Sequence, residues 1–195
     1  MQIEPGIEVS GESLGAVVDG FRKYPTIAAK YLVKFGLAKP EPGVLLDVDR
    51  QRWYPLRDWL AAYEGIAQEI GYNSLYGIGK GIPENAIFPP HVTDIYSGLA
   101  SIDVAFHINH RRNGEIMFNP ETGAMLEGIG HYRPTPVEGD TRVITVCDNP
   151  YPCDFDRGII SAMANRFEKH ARTVHDNEAP CRKKGGESCT YVTWW

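Results

Sequence analysis

The chain has no long hydrophobic run, no excess of basic charge and only 4 cysteines in 195 residues. Each scarcity excludes something. No apolar stretch approaches the roughly 18 residues that a membrane span requires. The N-terminus, MQIEPGIEVSGES, is acidic and lacks the basic and apolar regions of a secretory signal. The sequence therefore reads as cytoplasmic, without a membrane span. A net charge of −5 leaves no electrostatic footprint for nucleic acid. The richest basic cluster, CRKKGG, is short and reads as a solvated loop. Repeats and low-complexity segments are absent. So is a phosphate loop, and YGIGKG lacks the strand–turn–helix context of a dinucleotide fingerprint. In a reducing compartment so few cysteines suit metal ligation or plain thiols better than disulfides.

What is present points to a soluble globular domain: 43% apolar and 23% charged residues. Residues 13–36 read as one or two helices, broken at Pro25 and stopped at Gly36. The connector LAKPEPGV follows. It divides an N-terminal helical arm, residues 1–45, from a main domain, residues 46–195. A helix starts near Pro55, carries Leu56, Trp59, Leu60, Tyr63, Ile66, Ala67 and Ile70 on one face, and ends at Gly71. The stretch 73–90 reads as a short helix and a loop. A second strong helix, 92–111, buries Ile95, Leu99, Ile102 and Phe106; His110 continues the stripe and His107 lies beside it. The period then changes to two. GEIMF and AMLEGIGHY flank the turn NPETG as a hairpin, RVITVC is a strand, and Asp154 or Asp156 caps a helix. Two strands, 172–176 and 189–194, close the chain. Helices followed by hairpins predict an α+β domain, an antiparallel sheet packed against a helical layer.

The cysteines fall in two pairs, CDNPYPC and CRKKGGESC. Zinc takes about four ligands from thiolate, imidazole and carboxylate. Cys153 starts a helix, and Cys181 and Cys189 stand at the ends of one loop. Glu178 or His175 completes the set, with Cys147 as a further alternative. The plain reading is that Cys147 and Cys153 are small buried residues and that Cys181 and Cys189 form a disulfide or nothing. No His–Asp pairing singles out a nucleophile, and no catalytic residue is assigned.

The closing pattern, a Cys, a Gly-containing loop and SCTYVTW, resembles the 4-vinyl reductase domain, in the superfamily with heme-NO-binding domains and transport-complex subunits. The likeness covers residues 50–195 in element order. EAPCRKKGGESC is similar to the zinc motif of sensory domains in phenol-responsive bacterial activators. That resemblance implies structural zinc at Cys153, Glu178, Cys181 and Cys189. It also implies a pocket between helices and sheet for a small apolar or aromatic molecule. The candidate contacts are His107, Tyr132, His131, Phe106 and Trp59, with Met117 and Phe118 as further walls. Gly128 and Gly130, at alternate positions, would leave space on the strand face that Tyr132 shares. His107 and His110 form an alternative pair for a metal or heme iron. The expected function is a stand-alone sensory or carrier domain. The alternatives are a protein-interaction module and an accessory to tetrapyrrole metabolism. A homodimer is expected, with Leu14, Val17, Val18 and Phe21 as its surface.

Overall fold

A computed structural model of the chain describes residues 3–39, 48–84 and 86–195. The expected boundary near residue 45 and most of the expected connector, residues 40–44, lie outside the described residues. The expected α+β class is what is observed, with helices and antiparallel sheets. Two compact units make up the chain. An N-terminal unit comprises Gln2–Ser74 and His107–Gly128; a C-terminal unit comprises Leu75–Phe106 and Ile129–Trp195.

The N-terminal unit contains β1 (Ile7–Ser10), α1 (Gly11–Gly20), a 3₁₀ turn at Phe21–Lys23, α2 (Pro25–Lys34), β2 (Trp53–Pro55) and α3 (Leu56–Ile70). Ser10 caps α1, its hydroxyl accepting from the Ser13 amide at 3.1 Å. Pro25 opens α2, so the sequence break is a helix start. Gly71, at φ +85°, ends α3 as expected. The apolar face of α3 is buried: Trp59 stacks on Tyr63 at 5.1 Å, and Phe21 meets Tyr63 edge-on at 5.6 Å. Leu14, Val17, Val18 and Phe21 are buried within the chain. They therefore do not offer the exposed dimer surface that the sequence suggested.

Two helices begin or end outside their main unit: α4 (Asn73–Glu84) and α5 (Ile95–Ile108). Helix α5 stops earlier than its periodicity predicts. His110–Arg112 is instead a strand, β3, paired with β4 (Glu115–Ile116) across Asn113-Gly114. Both turn residues have positive φ, the conformation a two-residue hairpin demands. Strand β3 also pairs with β1, giving a sheet ordered β2-β1-β3-β4. GEIMF thus pairs backwards with β3 through Glu115 and Ile116, and its forward pairing with AMLEGIGHY is confined to Met117 and Phe118, the Leu126 amide donating to the Met117 carbonyl at 2.8 Å. NPETG still turns, with the Asn119 amide bonded to the Ala124 carbonyl at 2.8 Å and a single bridge between Phe118 and Met125.

The C-terminal unit holds the second antiparallel sheet: β5 (Tyr132–Pro136), β6 (Arg142–Cys147), β7 (Arg172–His175) and β8 (Cys189–Trp194), ordered β5-β6-β8-β7. Alternation buries Val143, Thr145 and Cys147 on β6, and Cys189, Tyr191 and Thr193 on β8. Helix α6 (Cys153–Phe167) is buried along most of its length; Pro152 precedes it, and Asp154 and Asp156 occupy its first turn rather than capping it. Helices α4 and α6 touch backbone to backbone. A Cβ on Gly79 would collide with the Phe155 carbonyl, and one on Gly158 with the Tyr76 carbonyl. Among the described residues no helix is long and apolar enough to cross a membrane.

Candidate functional site

Three sulfurs meet where α6 begins and β8 begins. Cys153 Sγ lies 3.0 Å from Cys189 Sγ and 3.8 Å from Cys181 Sγ, and Cys181 and Cys189 are 3.9 Å apart. Sheet register explains the position of Cys189: it opposes Cys147 on β6 and points into the core. A 3₁₀ turn at Arg182–Lys184 brings Cys181 back, and Gly185, at φ +84°, closes that turn. His175, at the end of β7, is the fourth group of the cluster; these four side chains could hold a metal ion. Glu178 is exposed, its amide bonded to Asp176 Oδ1 at 2.9 Å, and it is not among the four. Cys147 is buried on β6 and stands outside the group.

The two closest thiols are pushed in opposite directions. The hydrogen bond between them and burial push the Cys153 thiol up. That same bond and the Arg182 donors, backbone N at 3.4 Å and Nε at 3.5 Å, pull the Cys189 thiol down. Burial and the Asp156 charge push the Cys147 thiol up, so it stays protonated.

A buried polar chain runs from this cluster to β5. Arg182 pairs with Asp156, whose side chain is fully buried. Asp156 also accepts from the Tyr132 hydroxyl at 2.6 Å and from Asn149 Nδ2 at 3.3 Å. Asn149 in turn accepts from Arg182 Nη1 at 2.9 Å and from the Tyr151 amide at 2.9 Å. Tyr191 donates to the Cys153 carbonyl at 2.8 Å. Burial raises the Asp156 carboxyl to about 6, against the pull of Arg182, Tyr132 and Asn149. Burial and the Asp156 charge hold the Tyr132 hydroxyl protonated.

Of the expected ligand contacts, Phe106, His131 and Tyr132 belong to the C-terminal unit, and Phe106 meets Tyr132 edge-on at 5.5 Å. Tyr151 joins them, 6.0 Å from Phe106 and 5.6 Å from Phe155. Asp103 clamps the segment entering β5: Oδ2 lies 2.9 Å from His131 Nδ1 and Oδ1 accepts the Tyr132 amide at 2.8 Å. Trp59, His107, His110, Met117 and Phe118 belong to the N-terminal unit; Trp59, His107, His110 and Met117 are buried. Gly128 and Gly130 are not strand residues. Both have positive φ, and Gly130 lets the Asp148 backbone approach. Chain conformation, not space for a ligand, accounts for them.

Sequence reasoning missed Asp103, Asn149, Asp156, Arg182 and Tyr191. One signal was available: Asp156 stands three residues after Cys153, one helical turn away. Arg182 was hidden in CRKKGG, which is only partly the solvated loop expected. Lys183 and Lys184 are exposed, whereas the Arg182 side chain is 14% exposed.

No family model matches the chain, and no curated protein matches it. Solved structures do. An unliganded Fe(II) H-NOX mutant from K. algicida aligns with TM-score 0.60 at 12% identity, covering 95% of each chain. An Fe(II) H-NOX mutant from S. oneidensis gives 0.59 at 12%, again over 95% of each. An oxygen-binding H-NOX domain related to soluble guanylate cyclases, in its oxygen complex, gives 0.59 at 14%, over 95% of this chain and 94% of that one. The fold is that of H-NOX domains. This corrects the expected 4-vinyl reductase relationship, because the structures that align are H-NOX domains. The structural zinc expected from the cysteine spacing and from that resemblance is overturned as well: the cofactor named for the H-NOX structures is heme, and Cys153, His175, Cys181 and Cys189 are only a group that could hold a metal ion.

The residues of the C-terminal unit do not make a heme site by themselves. Its aromatic side chains at 106, 132, 151 and 155 pack on one another. Arg133 and Arg182 of the same unit already hold carboxylates, Arg133 with Asp148 at 2.6 Å and Arg182 with Asp156.

Proposed function

We propose that the chain is a small-molecule-sensing domain on the H-NOX fold. An apolar or aromatic ligand is read beside Phe106 and Tyr132 and reported to the Cys181–Cys189 loop. The observation that carries this reading is the unbroken buried path Tyr132–Asp156–Arg182–Cys189. A strand end and a distant loop share one carboxylate, so a shift of the tyrosine hydroxyl changes the balance of charge at the loop. Protein interiors amplify such changes, because a buried polar group that loses a partner has no water to replace it. Phe106, Tyr151 and Phe155 supply an apolar wall, and the Asp103–His131 pair supplies polar anchors, the composition usual for a small-molecule site. The H-NOX neighbours support small-molecule binding as the general role of the fold.

The test is a thermal-shift screen of phenols, fatty acids and hemin against the purified chain and the Tyr132→Phe and Phe106→Ala variants. A hit among the phenols or fatty acids should raise the melting temperature. That rise should shrink in Phe106→Ala. In Tyr132→Phe, binding should persist while the change in Cys181 alkylation rate on ligand addition disappears. If none of the phenols or fatty acids shifts the melting temperature, the reading fails. Stoichiometric hemin binding with a Soret band, and no other hit, would replace it with the chemistry of the neighbours.

A further inference from the structure

We propose that the free edge of β7 is an interface between two copies of this chain, which pair antiparallel about Val174. This pairing needs no ligand beside Tyr132. The second sheet ends in two edge strands, β5 and β7. An open edge is a template for another strand unless something blocks it. In β5 the Val137 amide donates to the Arg142 carbonyl, so along the register Thr135 and Arg133 also turn their backbone groups to β6. Those of Tyr132, Pro134 and Pro136 face away. The two prolines have no amide to offer, and Asp103 already takes the Tyr132 amide at 2.8 Å. That edge is closed. In β7 the Asp176 amide donates to the Thr190 carbonyl at 2.8 Å, so Val174 and Arg172 turn their backbone groups to β8. Those of Thr173 and His175 face outward. Among the described residues no other strand and no loop bond takes them, and β7 contains no proline.

This alternation restricts the register. Outward groups must meet outward groups, so a two-fold axis can pass through Thr173, Val174 or His175 but not between them. Charge selects the middle one. Centred on Val174, Thr173 of each copy exchanges hydrogen bonds with His175 of the other, and Arg172 opposes Asp176 on both sides of the axis. Either neighbouring register sets one of these charges against Val174 instead. Opposite charges facing each other across a strand pair are favourable, and among the described residues neither Arg172 nor Asp176 is in an ion pair within the chain. The solvent face fits the same register. Ile144, Val192 and Val174 lie directly opposite one another across β6, β8 and β7, and Ile144 and Val174 are 38% and 43% exposed. Pairing about Val174 sets valine beside valine and joins two such rows into one apolar stripe.

The experiment measures the mass of the purified full chain by sedimentation equilibrium over a concentration series. The parent chain should approach twice its own mass as concentration rises. Arg172→Asp puts a carboxylate opposite Asp176, and Asp176→Arg puts a guanidinium opposite Arg172; each variant alone, shown to be folded by circular dichroism, should stay monomeric. An equal mixture of the two should recover the dimer, because each supplies the charge that the other lacks. Thr173→Pro removes one outward amide, spares the bonds to β8 and should also give a monomer. Three results would overturn the proposal. The parent chain is monomeric at every concentration; either charge variant alone dimerises as well as the parent; or the mixture of two folded variants stays monomeric.

Discussion

The N-terminal unit buries rings and the C-terminal unit buries charge. In the first, Trp59, Tyr63 and Phe21 pack on one another, while the ion pairs lie toward solvent: Lys30 with Glu69, and Arg50 with Asp19 at 2.8 Å. In the second, a fully buried Asp156 is held by Arg182, Asn149 and Tyr132 beside three thiols. Burying an ion pair seldom raises stability above that of a well-packed apolar core. The N-terminal unit shows that this chain can build such a core. Stability alone therefore does not account for the polar interior of the other unit, and the proposed coupling of the thiol loop to β5 would.

The contrast breaks most readily at Arg182. Arg182→Met leaves the Asp156 carboxyl buried without its cation and should cost about 3–5 kcal/mol in urea denaturation at neutral pH. Combining it with Asp156→Leu should restore most of that loss. If the single variant is no less stable than the double, the buried pair does not hold the unit together.

Acid gives the next largest effect. The Asp156 carboxyl titrates near 6 in the fold and near 3.8 in its ordinary state. Between those values the folded chain holds a proton that the unfolded chain has released. Stability from this group is therefore full below about pH 4 and is lost as pH rises through about 6. The amount is on the order of 3 kcal/mol. Urea melts across that window should show the slope, and Asp156→Asn should flatten it. A wild-type stability that climbs over the same window, unchanged in Asp156→Asn, would count against the buried carboxyl.

The smallest effect sharpens the other side of the comparison. Glu69→Gln removes the exposed partner of Lys30 and should leave the denaturation midpoint within experimental error, with any residue of an effect gone in high salt. A large loss would mean that the N-terminal unit also leans on its charges.

Much of this was legible in the sequence where one period ran unbroken. The apolar face of α3, the strand RVITVC and the terminal pair of strands stand where expected. The convergence of Cys153, Cys181 and Cys189 was also foreseen. What failed did so for physical reasons. His110 fits the helical stripe of α5 by spacing, but Asn113-Gly114 fixes a tight turn and pulls it into a strand. Strands β1 and β2 are four and three residues long, too short to show a period. Arg182 looked like its lysine neighbours because the sequence does not say which cation of a basic loop turns inward.

The close crossing of α4 and α6 bears on the thiol loop. With Gly79 against the Phe155 carbonyl and Gly158 against the Tyr76 carbonyl, a side chain at either glycine would collide with backbone and force the two helices apart. Cys153 and Asp156 ride on α6, so an alanine at Gly79 or Gly158 is expected to shift both away from the loop that carries Cys181.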